Sequence, residues 1–412
     1  MPGQGRRGRH ALITAPANPT GRESLVGSGP VIAAFITFGL FWGSWAVMVF
    51  NIQRTFHISD SQLGVMLALA VALAGVAGAV SGHLADRVGA RRLLWIALFT
   101  WAGLLLVMSL TQQRWTFVLA LVLVEMAGGC IDTAMNAEAS HRLIAHPGTL
   151  VRFHALFNSG ALLSAAAAGI IIHANISWRW VWPGVAAVAA GVGVWALITD
   201  AGQALDHQAR AAAAASHEAH PVRRLRGDGL LVLLIVFALA EVTEGGVDTW
   251  GVLFLRNSLS AGVLLGAGAY VVGQSVAALT RGAGGPLLGR LSARGALILG
   301  GCTAGGGILL ESLTHFSVAA AVGLALGAGG ASLFWPLVMS TVSKQASQVV
   351  SAVGTFTAAG YIGWVAGAPL VGWISQTYGA AHGLQLLAVA AFAVALVSLL
   401  RAQRGPRTDR TG

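Results

Sequence analysis

A pair of acidic residues, Glu125 and Asp132, lies inside a long apolar stretch of this 412-residue chain. On a helix that turns by about 100° per residue, both side chains fall within about 60° of arc together with Asn136. They therefore form a polar stripe on an otherwise apolar helix. An acidic side chain at the middle of a bilayer costs about 2.5–3.5 kcal/mol on insertion scales and is retained mainly for function. The stripe thus predicts groups that bind and release protons.

A second acidic stripe comprises Glu241, Glu244 and Asp248, which also share one helical face. Glu241 is expected near the middle of the membrane, and the other two nearer its outer surface. Proton coupling is the chemistry that both stripes favour. The alternative is a structural role, because polar side chains also form hydrogen bonds between helices inside a membrane.

Other aromatic and amide side chains in neighbouring apolar stretches offer stacking surfaces and hydrogen bonds for a polar organic ligand. The predicted ligand contacts are Trp42, Trp45, Asn136, Asn158, Tyr270, Gln274, Trp335 and Tyr361. A single tryptophan in a membrane protein is more often an interface anchor than a ligand contact. His154 is expected close to Arg152 and Glu138, where it either relays protons or ties two helices together.

The sequence carries no recognisable enzyme motif. It has no Gly-x-x-x-x-Gly-Lys-[Ser/Thr] phosphate loop, no His-Glu-x-x-His and no cysteine or histidine spacing typical of a metal site. The two cysteines, Cys130 and Cys302, are interpreted as small buried hydrophobic residues. We therefore expect no enzyme activity, no cofactor and no metal.

The composition indicates a membrane as solvent. Hydrophobic residues make up 56% of the chain and charged residues 10%, so a water-soluble domain could not cover its surface with polar groups. The formal net charge is +10, but the basic residues do not cluster on one soluble face, so nucleic acid is not an expected partner. The predicted fold class is an all-α polytopic membrane protein.

Apolar runs predict twelve membrane-spanning helices of roughly 20 residues, in two six-helix halves. The first six spans are expected at about 31–53, 61–82, 92–111, 116–137, 152–174 and 179–199. The second six are expected at about 229–252, 260–281, 295–313, 316–338, 350–374 and 379–400. The predicted organisation is a disordered tail over 1–30, a first half over 31–199, a polar central loop over 200–228, a second half over 229–400 and a tail over 401–412.

The basic residues predict the orientation of the bundle. All but four of the 25 lysines and arginines, Arg91 and Arg281 among them, fall in the tails or in loops on one side. The four exceptions are Arg54, Arg114, Arg179 and Arg256. By the positive-inside rule, both termini are expected in the cytoplasm, with anionic lipid as the counter-charge.

A polar turn follows the second span and reads Gly82-His83-Leu84-Ala85-Asp86-Arg87-Val88-Gly89-Ala90-Arg91-Arg92. Twelve spans, a long central loop and this Gly-x-Leu-x-Asp-Arg-x-Gly-x-Arg-Arg pattern resemble the major facilitator superfamily of secondary transporters over about residues 31–400. The segments Met135-Asn136, Phe153–Ala161 and Glu244–Trp250 resemble a bacterial branch related to the fucose permeases.

In that superfamily the polar turn acts as a cytoplasmic gate. The resemblance therefore implies gate roles for Gly82, Asp86, Arg87, Gly89 and Arg91. The negative charge of Asp86 is expected to interact with the positive N-terminal end of a neighbouring helix and to form an ion pair with Arg87 or Arg91. A solvated turn that only sets the topology is the alternative.

The resemblance implies a monomeric secondary transporter in a bacterial inner membrane. The expected partners are a small polar organic solute, protons and membrane lipid. The signatures of drug antiporters in the fifth span and of sugar porters after the sixth are both absent, and we favour uptake by symport. Efflux by antiport is the alternative, as is a non-transporting sensor or structural protein on the same fold.

Overall fold

The structure is a computed structural model that describes residues 21–143, 149–200, 230–288, 292–345 and 349–400. The central loop from 201 to 228, the C-terminal tail over 401–412 and the first 20 residues lie outside the described residues. Residues 21–30, which the sequence places in the N-terminal tail, instead belong to the first helix. Pro30 lies inside that helix, as membrane helices tolerate when neighbouring groups compensate the lost hydrogen bond.

The first half contains six α-helices in the described part of the chain. They are α1 (Gly21–Phe56), α2 (Asp60–Val88), α3 (Ala90–Leu110), α4 (Arg114–Leu143), α5 (Thr149–His173) and α6 (Val181–Asp200). A short 3-10 turn, Trp178–Trp180, precedes α6. The order of these helices matches the six predicted spans.

The second half contains eight α-helices among the described residues. They are α7 (Leu231–Gly246), α8 (Val252–Ser258), α9 (Val263–Leu288), α10 (Ala293–Leu313), α11 (Ser317–Ala331), α12 (Phe334–Gln345), α13 (Val349–Tyr378) and α14 (Ala380–Leu400). A π-helical turn, Val247–Gly251, joins α7 to α8, and a break at Ser332 and Leu333 separates α11 from α12. The seventh and tenth predicted spans are therefore each divided into two helices.

Local sequence signals fix both ends of α2. At its start, the Ser59 hydroxyl accepts a hydrogen bond from the Gln62 N–H (3.3 Å), and Gln62 Oε1 accepts one from the Ser59 N–H (3.1 Å), which forms a capping box. At its end, Gly89 has a φ of +97°, a conformation that favours glycine, and this single residue separates α2 from α3. Gly82, predicted in the same turn, instead lies within α2.

Helix pairings repeat in the two halves. In the first half, α1 packs on α5, α2 on α4, and α3 on both α4 and α6. In the second half, α7 packs on α13, α9 on α11, and α10 on both α11 and α14. These are the same pairings when α7 with α8, and α11 with α12, each count as one span. The two halves are therefore structural repeats of one six-helix arrangement.

Ten helical segments of the described residues are long and apolar enough to cross a membrane. The two other predicted spans correspond to α7 with α8, which the π turn divides, and to α13. No strand occurs within the described ranges, so the prediction of an all-α membrane protein with two similar halves is confirmed.

The halves meet along two long helix pairs, α5 with α9 and α2 with α13. Glycines allow α2 and α13 to approach closely near the start of α2. A Cβ atom on Gly64 would collide with the carbonyl oxygen of Ala368, and one on Gly372 would collide with the carbonyl oxygen of Asp60. Backbone therefore packs directly on backbone at this end of the interface.

A polar contact joins the halves at the same end of the bundle, where α1 ends. The guanidinium of Arg256 on α8 donates a hydrogen bond to Asn51 Oδ1 on α1 (2.5 Å) and lies 3.9 Å from the centre of the Phe50 ring. Next to it, Asn257 donates to Gln53 Oε1 (3.3 Å). Under the predicted orientation, these contacts close the outer side of the molecule.

Candidate functional site

A central cavity of about 210 Å³ lies between the two halves. Residues from both halves form its walls, on α1, α2, α4 and α5 of the first half and on α7, the π turn, α9, α12 and α13 of the second. All five predicted proton-binding residues are in this lining, namely Glu125, Asp132, Glu241, Glu244 and Asp248. The structure thus brings together two acidic stripes that are more than 100 residues apart in the sequence.

The two acids of α4 have different surroundings. Asp132 accepts hydrogen bonds from Asn136 Nδ2 (2.9 Å) and from the Tyr361 hydroxyl (3.3 Å). Tyr361 belongs to α13, so this second bond crosses from one half to the other. Glu125 is 5% exposed, and no hydrogen bond reaches its carboxyl group from the described residues. The α4 stripe therefore contains one carboxyl group that links the halves and one that is open to the cavity.

A buried arginine, Arg281 of α9, organises the acids of the second half. Its Nη2 lies 2.5 Å from Glu244 Oε1, and its Nη1 donates to Asn158 Oδ1 of α5 (3.0 Å). Asn158 Nδ2 donates to Gln274 Oε1 (2.5 Å), and Gln274 Nε2 donates to Asp248 Oδ1 (3.0 Å). A continuous hydrogen-bond network thus runs from Glu244 to Asp248 and includes a residue of the first half.

Arg281 corrects an interpretation made from the sequence, which assigned it to a cytoplasmic loop. It lies inside α9, is 5% exposed and lines the cavity. The spacing could have revealed this position, since Arg281 follows Gln274 by seven residues, or two helical turns, and therefore shares its face. A positive-inside count does not distinguish an arginine at the end of a span from one in the adjoining loop.

Aromatic side chains form the other part of the lining. Trp42 and Trp364 meet edge to face with ring centroids 5.2 Å apart, and the Trp335 ring lies 4.0 Å from that of His154. Of the predicted ligand contacts, Trp42, Trp335 and Tyr361 line the cavity. The aromatic lining residues that sequence reasoning missed are Phe38, Phe157, Phe237 and Trp364.

The remaining predicted ligand contacts lie behind this lining. Asn136 donates to Asp132 and Gln274 donates to Asp248, whereas Asn158 accepts from Arg281 and donates to Gln274. Trp45 and Tyr270 are fully buried and do not line the cavity. Trp45 stacks on Phe41 with ring centroids 6.3 Å apart, so the structure places it in the packing of the first half.

His154 lies in a different environment from the one expected. Its ring packs against Trp335 of the second half and against Phe35 of α1 (centroids 5.6 Å apart), and its Nε2 atom is buried without a hydrogen-bond partner. It lines the cavity. His154 is therefore a side chain of the central site, and a role as a proton relay stays a prediction.

The predicted gate residues lie at the far end of α2 and the start of α3. Arg91 is buried and binds Glu138 Oε1 through Nε (3.1 Å) and Nη2 (2.8 Å), while its Nη1 donates to the Thr199 hydroxyl (2.7 Å). These bonds tie α3, α4 and α6 together within the first half. Arg87 is exposed, and the side chain of Asp86 lies outside the described residues. A gate at this turn stays a prediction.

Comparison with known proteins agrees with this architecture. The chain is similar to the membrane protein MosC of Rhizobium meliloti, with 23% identity over 89% of this chain and 88% of that protein. It is also similar to an uncharacterised MFS-type transporter of Yersinia pestis, with 26% identity over 89% of this chain and 91% of that protein.

Solved structures show the same fold. The nucleoside transporter NupG superposes with a TM-score of 0.69 at 14% identity, covering 91% of this chain and 98% of that chain. A bacterial homologue of the human drug peptide transporters PepT1 and PepT2 superposes with a TM-score of 0.66 at 15% identity, covering 91% of this chain and 96% of that chain. The family model of the Major Facilitator Superfamily matches residues 31–368. The chain therefore belongs to the Major Facilitator Superfamily of transporters.

Proposed function

We propose that this protein is a proton-coupled secondary transporter that moves a small polar organic solute across a bacterial inner membrane, by uptake in symport with protons. The observation that carries the proposal is the convergence of five carboxyl groups, from both halves, on one cavity. Carboxyl groups inside a membrane mark proton relays and solute pathways. A site at the interface of two repeats is where alternating access places the substrate.

Bonds between the halves suggest how proton binding changes the conformation. Asp132 accepts a hydrogen bond from Tyr361, and Arg281 joins Glu244 to Asn158 of the first half. A proton on Asp132 weakens its bond to Tyr361 of the opposite half, because a neutral acid is a poorer acceptor than a carboxylate. A proton on Glu244 weakens its pairing with Arg281, the residue that reaches Asn158 of the opposite half. The relative stability of the two access states would then depend on protonation, which is the requirement for coupling.

Two structural neighbours support a small organic solute. One is a nucleoside transporter and another is a homologue of peptide transporters. The aromatic lining with a few convergent polar groups is typical of sites for such ligands. The cytoplasmic location of both termini, the anionic lipid contact and the monomeric state belong to the same proposal.

Transport by purified protein in proteoliposomes tests the proposal. A thermal-shift screen against sugars, sugar acids, nucleosides and cationic drugs first supplies a ligand, whose flux is then measured with imposed pH gradients. We expect accumulation driven by an inward proton gradient and abolished by a protonophore. Accumulation driven only by the opposite gradient would indicate antiport, and a bound ligand that moves under neither gradient would indicate a non-transporting sensor.

Matched variants assign the coupling to the cavity. Glu125→Gln and Asp132→Asn should abolish gradient-driven accumulation while solute exchange between equal proton concentrations continues. Glu311→Gln is the control, because Glu311 is a buried acid of α10 that does not line the cavity. If both α4 variants still concentrate the solute, the α4 stripe is not the coupling site.

A further inference from the structure

We infer that the solute bound in the central cavity is an organic cation, whose positive charge faces the carboxyl groups and whose body packs against the aromatic side chains. This inference rests on the proposed function, which makes the cavity the solute site. It adds the chemical class of the solute, about which the family membership is silent.

The lining contains more acid than base. Five of its residues are Asp or Glu, whereas Arg281 is the single arginine or lysine in the described lining. Arg281 is already engaged, since it pairs with Glu244 and donates to Asn158. No salt bridge joins the other acids of the lining to a basic residue within the described ranges. Their charge inside the membrane must be compensated by protons or by a bound cation.

Two buried polar groups of the cavity have unused hydrogen-bonding capacity. Glu125 is 5% exposed and receives no hydrogen bond from the described residues. His154 Nε2 is buried and unpartnered. Both side chains belong to the cavity lining. A buried unpartnered atom such as His154 Nε2 costs about 1–3 kcal/mol. Together with the Glu125 carboxyl group, which is open to the cavity, it indicates a ligand that supplies the missing partners.

Aromatic side chains of both halves line the cavity together with these acids. Trp42 belongs to α1 and Trp364 to α13, and their rings meet with centroids 5.2 Å apart. Trp335 and Tyr361 complete this part of the lining. A cation within about 6 Å of an aromatic face gains about 0.5–2 kcal/mol, most over tryptophan, and aromatic cages bind quaternary ammonium groups in this way. The aromatic faces therefore favour the same charge as the acids.

An anionic solute is disfavoured by the same geometry. It would need Arg281, whose Nη2 already lies 2.5 Å from Glu244 Oε1. Displacing Glu244 would leave a further unpaired carboxylate in the cavity, next to Glu241 and Asp248 in the same lining. Repulsion from these groups opposes any second negative charge.

A charge series of one molecular shape tests the inference. The probes are choline, its uncharged analogue 3,3-dimethylbutan-1-ol and the anion 3,3-dimethylbutanoate, titrated against the full-length purified protein by calorimetry and by quenching of tryptophan fluorescence. We expect choline to bind at least about tenfold more tightly than the alcohol, and the anion to bind most weakly. Equal affinities, preference for the anion or no binding of choline would overturn the inference.

Variants assign the charge preference to the cavity. Glu125→Gln should weaken choline binding about fivefold to tenfold, because the cation interacts with the lost charge. The affinity for the uncharged alcohol should stay within about twofold of the wild-type value. Glu311→Gln makes the same chemical change outside the cavity and should alter neither affinity. If Glu311→Gln and Glu125→Gln weaken choline equally, the preference does not arise in the cavity and the inference fails.

Binding is measured without a proton gradient, so the two proposals fail separately. Choline binding with the predicted order but no gradient-driven flux in vesicles would reject the proposed transport and leave the cation site standing. Gradient-driven flux of an uncharged solute, together with equal binding across the charge series, would reject the cation and leave the transporter standing.

Discussion

At the scale of single residues, the ion pair between Arg281 and Glu244 determines the electrostatics of the site. The pair is largely buried, with the Arg281 side chain 3% and the Glu244 side chain 23% exposed. Breaking such a pair by removing one partner is costly, because the other is left charged and uncompensated, whereas removing both is often tolerated. The two residues therefore act as a unit.

The first prediction is a double-mutant cycle on this pair. We expect Arg281→Met to lower the stability of the purified protein by about 3 kcal/mol, and Arg281→Met combined with Glu244→Gln to lower it by clearly less, because the double variant leaves neither charge of this pair without its partner. Unfolding in detergent, followed by tryptophan fluorescence, measures both. Additive losses in the double variant would mean that the two side chains are independent.

The sequence predicted the acids of the site better than their partners. A carboxyl group inside an apolar stretch is visible in one dimension, so Glu125 and Asp132 could be placed on one face from spacing alone. The bonds from Tyr361 to Asp132 and from Arg281 to Asn158 join residues more than 100 positions apart, and their geometry depends on how the halves pack. Trp45 is of a residue type that suits a ligand contact, but its side chain packs against Phe41 in the interior of the first half.

At the scale of helices, the seventh span is the least regular element. Its π turn, Val247–Gly251, contains Asp248 and widens the helix at the level of the cavity. Turns of this kind recur at functional sites. Three glycines in or next to the turn, at positions 245, 246 and 251, remove the side chains that would collide with α13, α14 and α11. Apolar periodicity alone predicts a continuous α-helix here. A π turn contains one residue more than an α-helical turn, and the periodicity does not reveal this insertion.

Glu311 of α10 packs beside this turn and away from the cavity. It is completely buried, and neither of its carboxyl oxygens has a hydrogen-bond partner. A Cβ atom on Gly251 would lie 3.5 Å from Glu311 Oε1, which places the carboxyl group against the π turn. Residue spacing does not single out Glu311, since it stands alone near the end of its span.

The second prediction follows from this lack of partners. Glu311→Met keeps a similar volume and removes the unsatisfied oxygens, so we expect stability to rise by about 1–3 kcal/mol and transport to stay within twofold of the wild type. Thermal unfolding and vesicle flux measure the two effects. A loss of stability would show that Glu311 has a partner in another conformation, and a loss of flux would give it a part in transport.

At the scale of the whole molecule, the two halves were predicted from the hydropathy pattern, and the structure adds the pairs of helices through which they touch. Six apolar runs on each side of a polar segment are sufficient to predict two bundles. The contacts of α5 with α9 and of α2 with α13 depend on how apolar helix faces pack. The sequence does not predict these pairs, because the apolar faces of different helices have similar compositions. Alternating access requires these interfaces to open at one end while they close at the other.

The third prediction is a reversible lock across one of these interfaces. Near the start of α5, a Cβ atom on Gly282 of α9 would lie 3.5 Å from the Cβ of Ala155, at the edge of the range of about 3.5–4.5 Å found in disulfides. In a background with Cys130 and Cys302 replaced by serine, Ala155→Cys with Gly282→Cys should therefore crosslink on oxidation. The bond would hold this end of the α5 and α9 interface closed, so we expect flux to stop while solute binding remains.

Reductant should restore the flux of the double-cysteine protein, and each single-cysteine variant should transport normally under oxidation. A gel shift after cleavage in the central loop reports the crosslink directly, because the bond joins the two halves. Full crosslinking with undiminished flux would show that this end of the interface does not open during transport, and the movement would then have to be assigned to α2 and α13. A crosslink that blocks flux and spares binding places the opening between α5 and α9, next to Arg281, so that solute release and the cavity charges become part of one movement.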